Sequence, residues 1–341
     1  MNRVQVHSQF RRVMEQQTDR AERVRTPEFL DRYVRPHMGP DAPAGGTWTT
    51  QVIQLDGSGA ATVRVELDGG PPVFAKLFPF EDGPAVHAKL QALRGAGLGE
   101  GSPYRAVEPL AWYGEEKVLL CRGAPGRALS DLLAADGDEL AAACARAGRW
   151  LAHLHSTDLR VGAPQSLLVT GELTSLAKRL AKVAAGNPGY VDTALAMLER
   201  LDALTHDTAD GVVAQSHGQY RPIHVFLGED AVTVIDLDRS APADPARDAA
   251  EFLHRLRIGV HDATGDIRRA DPPSAAFLDA YHAATRGDLL RNLRFHWARY
   301  ILHSVNRSIK SGEADWRDGG DAEFRLYRDE FDRVAEGRAG A

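Results

Sequence analysis

The spacing of hydrophobic residues separates a strand-rich part of the chain from a helix-rich part. From Trp48 to Phe78, β-branched and aromatic residues recur in short runs bounded by glycine turns, which is typical of strands. The runs TTQVIQL and TVRVEL flank the DGSG turn at 56–59, and PPVFAKLF follows the Gly-Gly turn at 69–70. We therefore predict three antiparallel strands in this region.

Helical spacing replaces this pattern in the remainder of the chain. Residues 84–96 place Val86, Leu90 and Leu93 on one face of a predicted helix. Beyond Leu129 the hydrophobic period of about 3.6 residues recurs in longer segments, which predicts a mainly helical second part. The charged C-terminal residues from Gly319 are expected to form a surface helix that frays. The residues predicted for the core of the last helices are Phe277, Leu278, Tyr281, Phe295, Trp297, Tyr300 and Leu302.

The first 39 residues predict one or two amphipathic helices. Such an extension most often packs on its own domain, although it could also offer a surface to a partner or a leader peptide. Residues 39–46 have the Gly and Pro content of a loop. The two predicted apolar faces contain Phe10, Val13 and Met14, and Phe29, Leu30, Tyr33 and Val34.

A predicted hairpin in the second part gathers polar residues at one of its ends. Val225–Leu227 predicts a strand, 228–230 a turn, and 231–236 a second strand. Antiparallel pairing about this turn brings the loop at 217–224 near the acidic residues at 236 and 238. This arrangement is a candidate for catalysis.

This stretch resembles the catalytic segment of the aminoglycoside phosphotransferase and choline-kinase-like families, which are small-molecule relatives of the protein kinases. The matching positions are His217-Gly218, the hairpin, Ile235-Asp236, Asp244-Pro245 and Asp248. The resemblance implies an α+β, protein-kinase-like fold of two lobes, with a small antiparallel β N-lobe and a larger helical C-lobe. The implied domains are a helical extension at 1–45, the nucleotide-binding N-lobe at 46–121, a hinge at 122–127, and a C-lobe at 128–341 with the catalytic loop and acceptor site.

The same resemblance implies ATP and Mg²⁺ as cofactors and assigns the groups that bind the nucleotide. Lys76, in the third strand, would pair with the α- and β-phosphates. Gly57 and Gly59 would lie in the loop that covers the nucleotide, although an Asp-Gly pair is first of all a hairpin turn. Backbone groups near Leu120 and Arg122 would meet the adenine edge.

The catalytic assignments also follow from the resemblance. Asp236 would hold magnesium, and Asp238 would be a spare carboxylate. His217 would orient the catalytic loop rather than carry protons, and Asp248 would hold that loop in place.

Two positions of this stretch depart from the family pattern, and the predicted helix at 84–96 departs from it as well. Gln219 stands where the family has its catalytic Asp, and a Gln amide can orient a hydroxyl but cannot take its proton. His224 stands where the family has a metal-binding Asn. It could ligate a metal through a neutral ring nitrogen, although magnesium prefers oxygen. The 84–96 helix contains no Glu to pair with Lys76.

Two functions therefore stay open. The first is an ATP-dependent phosphotransferase acting on a hydroxyl of a small molecule or on a peptide Ser or Thr, in a natural-product biosynthetic or resistance pathway. The second is a catalytically silent kinase-like subunit that binds a nucleotide, a peptide or a protein partner, for example a partner enzyme. Lys178, Arg179 and Lys182 could attract an acidic or phosphate-bearing partner, although solvated basic residues on a helix are the usual case.

Composition narrows the classes of partner. A net charge of −6 argues against a general nucleic-acid binder, which carries a basic face. The two cysteines, Cys121 and Cys144, have no metal-ligand spacing and lie among apolar neighbours, so we expect buried thiols. The N-terminal residues lack the apolar core of a secretory signal, and no stretch of about 18 apolar residues predicts a membrane span. We therefore expect a cytoplasmic protein.

Overall fold

A computed structural model describes residues 18–39, 43, 45–55, 61–79, 82–164, 169–208, 212–317 and 320–338. The chain divides into two compact units. The N-terminal unit extends to Pro125 and also takes in Thr233–Asp238, whereas the C-terminal unit comprises Gly126–Val232 and the chain from Arg239 onward. The division after Pro125 falls within the segment at 122–127 that was predicted as a hinge.

An antiparallel sheet forms the body of the N-terminal unit, as predicted. Its five strands lie in the order β1-β2-β3-β6-β5, and Lys76 in β3 pairs with Thr62 in β2 and Leu119 in β6. Residues of β2 and β3 alternate between buried and partly exposed positions, which matches the period of two in the sequence. The strands and the helix of this unit are β1 (Trp48–Leu55), β2 (Ala61–Leu67), β3 (Val73–Leu77), α1 (Gly83–Leu93), β4 (Tyr104–Ala106), β5 (Pro109–Tyr113) and β6 (Val118–Arg122).

The N-terminal extension packs on this sheet, which confirms that expectation for its described part. Residues 18–24 are helical, and Pro27–Phe29, Leu30–Val34 and Arg35–His37 follow as short α, π and 3₁₀ turns. The predicted apolar face at Phe10, Val13 and Met14 lies outside the described residues. The extension shares one hydrophobic core with the sheet through Ala21, Val24, Phe29, Leu30 and Val34.

Helix α1 buries the stripe predicted for it. Val86, Leu90 and Leu93 are all buried, and a π-helical segment from Arg94 to Leu98 follows the helix. Gly97 in that segment has φ of 101°, a conformation that glycine adopts without steric cost.

Seven helices longer than three turns account for most of the C-terminal unit among the described residues. Its short strands pair as β7 with β9 and β8 with β11, and β10 carries the chain back into the N-terminal unit. The elements are β7 (Arg127–Ala128), α2 (Gly137–His155), α3 (Val169–Gly186), α4 (Val191–Ala203), β8 (Ala214–Ser216), β9 (Val225–Leu227), β10 (Val232–Val234), β11 (Ala241–Ala243), α5 (Ala246–Thr264), α6 (Asp271–Ala284), α7 (Leu293–Ser311) and α8 (Ala322–Ala335).

A series of stacked aromatic rings holds the polar loop, residues 217–224, against the helices of this unit. Tyr220 of that loop stacks between Trp150 of α2 and Phe252 of α5, at centroid distances of 5.5 and 5.2 Å. Phe252 in turn stacks on Phe277 of α6 at 4.3 Å. Six of the seven predicted core residues are buried, and only Tyr300 is partly exposed.

Helix α8 is present in the charged segment, as predicted, and one face of it is buried against the C-terminal unit. Phe324, Tyr327, Phe331 and Val334 recur along one face and are all buried. An apolar stripe at helical spacing therefore outweighs the high charge of this segment. Among the described helices, none is both long and hydrophobic enough to cross a bilayer.

Candidate functional site

The acidic pair at 236 and 238 follows β10 in an unusual backbone conformation. β10 ends at Val234 and not at Asp236, because Asp236 has φ of +62° and cannot continue a strand. The next three residues form a 3₁₀ turn that includes Asp238. A left-handed conformation costs a non-glycine residue roughly 1–2 kcal/mol, although Asp tolerates it better than most. Such local strain is common where a side chain must be aimed at a ligand.

Lys76 meets both carboxylates. Its Nζ lies 3.1 Å from Oδ1 of Asp236 and 2.5 Å from Oδ2 of Asp238, within the N-terminal unit. The three side chains are only 22, 31 and 25% exposed, respectively. Burial by itself would lower the pKa of the Lys76 ammonium, but the charges of Asp238 and Asp236 hold it above its usual range. A lysine in this setting stays protonated.

A second lysine, which sequence reasoning missed, approaches the same turn from α1. Nζ of Lys89 donates a hydrogen bond of 2.6 Å to the main-chain oxygen of Asp238. Burial lowers the pKa of the Lys89 ammonium, and the Asp238 charge partly opposes that shift. Helix α1 thus places a lysine, and not a Glu, next to this turn. In the sequence, Lys89 follows Val86 by three positions and precedes Leu93 by four, and this spacing places it on the apolar face of the helix.

The other residues predicted to contact the nucleotide are Gly57, Gly59, Leu120 and Arg122. Gly57 and Gly59 lie outside the described residues. Leu120 is fully buried in the middle of β6, and the partners of its backbone are β3 and β5. The N–H of Arg122 donates to the main-chain oxygen of Glu108 at 2.9 Å, and that of Gly123 to Pro72 at 2.7 Å. Backbone groups at Leu120 therefore belong to the sheet.

The polar loop after β8 is held by Asp248, at the first turn of α5. Its Oδ2 accepts the N–H of His217 at 2.6 Å, and its Oδ1 accepts the N–H of Gly218 at 2.9 Å. Gly218 has φ of +87°, and a Cβ there would lie 2.5 Å from the main-chain oxygen of Arg239. Only glycine fits this approach without a shift of the backbone.

Asp248 itself is charged although it is buried. Burial would raise the pKa of the Asp248 carboxyl, but the hydrogen bond and charge of His155, with the backbone hydrogen bond from His217, hold it below its usual range. Nε2 of His155 lies 3.2 Å from Oδ2 of Asp248, and Nδ1 lies 2.8 Å from the hydroxyl of Tyr281. His155 is therefore a structural histidine with both ring nitrogens engaged.

His217, Gln219 and His224 lie together in this loop. The N–H of Gln219 donates to Nδ1 of His217 at 3.2 Å, so that nitrogen is an acceptor and carries no proton. Nδ1 of His224 lies 2.9 Å from the carbonyl oxygen of Gln219, which can only accept, so Nδ1 of His224 carries the proton. The two imidazole rings stack at 5.8 Å. A metal bond from His224 would have to come from Nε2.

The donor atoms of the N-terminal unit suit a magnesium ion that is shared with a phosphate ligand. Magnesium is usually held by one or two carboxylates, and its remaining ligands are waters and substrate phosphates. Asp236 and Asp238 supply two carboxylates at one turn. In the described part of the chain, no group of three or more His, Cys, Asp or Glu side chains is arranged to enclose a metal ion.

Comparisons with known proteins agree with this architecture. Residues 51–300 match the family model described as the phosphotransferase enzyme family. No curated protein matches the chain. Among solved structures, a choline/ethanolamine kinase family protein from Mesorhizobium loti has a TM-score of 0.58 at 13% identity, with 94% of each chain covered.

Two further solved structures have similar scores. Choline kinase from Cryptosporidium parvum Iowa II has a TM-score of 0.58 at 9% identity and covers 92% of this chain and 95% of its own. A thermostable mutant of an aminoglycoside phosphotransferase, in a ternary complex with ADP and hygromycin B, has a TM-score of 0.57 at 16% identity. It covers 92% of this chain and 99% of its own. These likenesses confirm the predicted α+β, protein-kinase-like fold.

Proposed function

The chain belongs to the phosphotransferase enzyme family, and we propose that it transfers a phosphoryl group from ATP to a hydroxyl of a small molecule or a peptide. The observation that carries this proposal is the contact of Lys76 with Asp236 and Asp238. Lys76 and Asp236 are 160 positions apart in the sequence, and two carboxylates share this one partly buried ammonium. Such an arrangement offers a cation for phosphates beside carboxylates for a metal.

On the nucleotide side, the proposed work is electrostatic. Lys76 and Lys89 would bind the phosphate oxygens, and Asp236 and Asp238 would hold Mg²⁺. ATP with Mg²⁺ would supply the phosphoryl group and neutralise its charge. The left-handed backbone at Asp236 supports its role, because it aims the carboxylate at Lys76 rather than along the strand.

The adenine contact is proposed just beyond β6. The backbone of Leu120 lies inside the sheet, and the N–H groups of Arg122 and Gly123 already donate to Glu108 and Pro72. The first later N–H along the chain is that of Ala124, since Pro125 has none. We therefore assign Ala124, with the carbonyls of Arg122 and Gly123, to the adenine edge.

On the acceptor side, the loop orients a hydroxyl without a strong base. The Gln219 amide would position the hydroxyl, and His217 and Asp248 would keep the loop in shape through the hydrogen bonds described above. His224 would support a phosphate or a second metal through Nε2. ATP as the donor also suits the cytoplasm, where we expect the protein to act.

One observation favours the second function, a catalytically silent subunit. Gln219 cannot accept a proton at neutral pH, and a positioned base contributes about 10²–10⁴-fold to such reactions. A nucleotide-binding subunit that supports a partner enzyme would need Lys76 and Asp236 but no base. Turnover separates the two functions.

The test measures ATP binding and ATP consumption by the full chain. Ligand at about 100 times its Kd stabilises a folded protein by about 2.7 kcal/mol, so ATP with Mg²⁺ should raise Tm by several degrees. Slow ATP consumption should also be measurable. Asp236→Asn should reduce it by about 10²-fold or more, because a metal ligand is worth several kcal/mol in the transition state.

Asp68→Asn is the matched control for Asp236→Asn. Asp68 also has positive φ, at 51°, and lies in a turn of the same unit, where its Oδ1 accepts the N–H of Thr47. Its variant should consume ATP like the wild type. Full activity of Asp236→Asn would refute the proposed site. Stabilisation by ATP without any turnover would instead assign the silent function.

A further inference from the structure

Three helices of the C-terminal unit, α3, α5 and α7, meet along a polar seam that begins at the loop of Gln219. Glu251 of α5 accepts a hydrogen bond from the Tyr300 hydroxyl of α7 at 3.1 Å. One turn further, Nε2 of His254 lies 2.7 Å from Oγ of Ser304. On the other side, Nη1 of Arg179 on α3 lies 2.7 Å from Nε2 of His303 on α7.

Positive charge collects along this seam. Two carboxylates form ion pairs with arginines of this seam. Glu172 pairs with Arg247 at 2.8 Å and with Arg299 at 3.2 Å, and Glu251 pairs with Arg221 at 2.6 Å. We name as the basic cluster the six arginines Arg179, Arg221, Arg247, Arg255, Arg299 and Arg307.

Three members of the basic cluster, Arg179, Arg255 and Arg307, have no carboxylate counter-ion among the described residues. Arg255 is partly buried, and its Nε is fully buried without a hydrogen-bond partner in the described chain. Burial lowers the pKa of the Arg255 guanidinium, and the charges of Arg221 and Arg307 lower it further. Glu251 opposes this shift but is already paired with Arg221. An uncompensated, desolvated cation is costly, which makes an anion a favourable addition.

The pKa of the neighbouring His303 reflects the same excess of positive charge. Burial, followed by the charges of Arg179, Arg299, Arg307 and Arg255, lowers the pKa of His303 to about 4. His303 is therefore neutral at physiological pH and adds no positive charge of its own. The four guanidinium groups named here are all cations and place a positive field on the His303 ring.

The basic cluster is continuous with the proposed acceptor site. Asp248, which holds the loop, Glu251 and Arg255 are spaced by three and four residues on α5 and share one face. Seven residues of helix correspond to about 10 Å. Arg221 belongs to the loop itself, two residues after Gln219. Arg307 and Arg179 are exposed, so a ligand can reach the cluster from solvent.

We propose that the basic cluster binds an anionic group of the acceptor, and that this group is a phosphate monoester. The proposal rests on the function proposed above, because it names the chemical class of the molecule that the loop would present for phosphorylation. A phosphate dianion would offset most of the charge of the three guanidinium groups that have no counter-ion, and the guanidinium fork binds phosphate oxygens in pairs. A cationic acceptor would be repelled.

The test uses inorganic phosphate as the probe, with no nucleotide present and with chloride holding the ionic strength constant. The His303 ring is followed by NMR. Bound phosphate should raise the pKa of His303 toward its ordinary value, because the bound anion offsets the surrounding guanidinium charge. Arg255→Gln and Arg307→Gln should each weaken phosphate binding by about 10-fold. Arg255→Gln should fold at least as stably as the wild type, because it removes an unpaired charge.

Arg268→Gln is the control, because Arg268 is an exposed arginine of the same unit that pairs only loosely with Asp271, at 3.9 Å. It should bind phosphate like the wild type. Equal binding by Arg255→Gln and the wild type, or an equal effect of chloride on His303, would overturn the proposal.

The binding test separates this inference from the proposed activity. Asp236→Asn should lose ATP consumption and keep the phosphate response of His303. ATP turnover without any phosphate response would reject the inference and leave the proposed activity standing. A phosphate response without turnover would support the anion site and reject the proposed activity. Among matched hydroxyl compounds with and without a phosphate, activity confined to the uncharged members would also overturn it.

Discussion

Gln219 is the residue on which catalytic rate depends in this site. Its backbone is engaged on both sides, by Nδ1 of His217 and Nδ1 of His224, so the loop positions this side chain firmly. The amide can orient the acceptor hydroxyl, but the proton of that hydroxyl must leave without a carboxylate to receive it. Phosphoryl transfer depends mainly on positioning and charge stabilisation, so the reaction can proceed slowly under these conditions.

Replacing Gln219 by Asp should therefore increase kcat. A carboxylate at this position can accept the proton of the acceptor hydroxyl, and the expected gain is about 10²-fold. The measurement is the steady-state rate of ATP consumption. Gln219→Asn has the same length as Asp but no base, and it should not exceed the wild type. A variant with Asp that is no faster than the variant with Asn would show that proton removal is not limiting.

Among the helices, α8 contributes a buried ion pair to the C-terminal unit. Arg257 of α5 is 2% exposed, and its Nε and Nη2 contact the two carboxylate oxygens of Glu330 at 2.6 and 3.0 Å. Its Nη1 also reaches Oδ1 of Asp271 at 2.5 Å. Burial would lower the pKa of the Arg257 guanidinium, but Glu330 and Asp271 together raise it above its usual range. The pair ties α8 to α5 and α6.

Glu330→Ala should destabilise the protein by roughly 2–4 kcal/mol. The substitution leaves a buried guanidinium with one carboxylate instead of two, and the loss of a buried partner costs far more than a surface pair. Urea unfolding of the full chain measures the change. Asp329→Ala is the control, because that neighbouring carboxylate is 70% exposed and should change stability by less than about 0.5 kcal/mol. Equal effects of the two substitutions would contradict the ion-pair account.

At the scale of the whole molecule, buried histidines make the folded state sensitive to acid. Burial, with the charges of Arg255, Arg307, His303 and Arg221, lowers the pKa of His254 from 6.5 to about 3. Below about pH 6.5 the unfolded chain takes up a proton that the folded chain does not accept. The stability is therefore complete above that pH and decreases as the pH falls toward 3.

Between pH 7 and pH 5, His254 alone should account for a loss of about 2 kcal/mol, since each pH unit is worth about 1.36 kcal/mol per proton. His303 adds a smaller loss, because it is partly exposed. The free energy of unfolding, measured by urea at several pH values, checks this. His254→Gln should flatten the pH dependence even if it lowers stability overall. His282→Gln, at an exposed histidine, should leave the slope unchanged.

The strands and the fold class were predictable from the sequence, because they depend on local spacing. Alternating apolar residues at 61–67 and 73–77 set which face of β2 and β3 is buried, and the same pattern holds in the structure. The stripe of Val86, Leu90 and Leu93 was equally clear. The motif positions from His217 to Asp248 indicated the family, which the match over residues 51–300 confirms.

The partners of charged side chains were decided only by the tertiary structure. Lys76 lacks a helix Glu and meets Asp236 and Asp238 instead, Lys89 turns inward from α1, and Glu330 of the charged helix α8 forms a buried ion pair. Local spacing determines which residues face inward, because it follows from backbone geometry within a few residues. Ion pairs form between side chains far apart in the sequence, and their energy depends on burial and distance, which exist only once the elements have packed together.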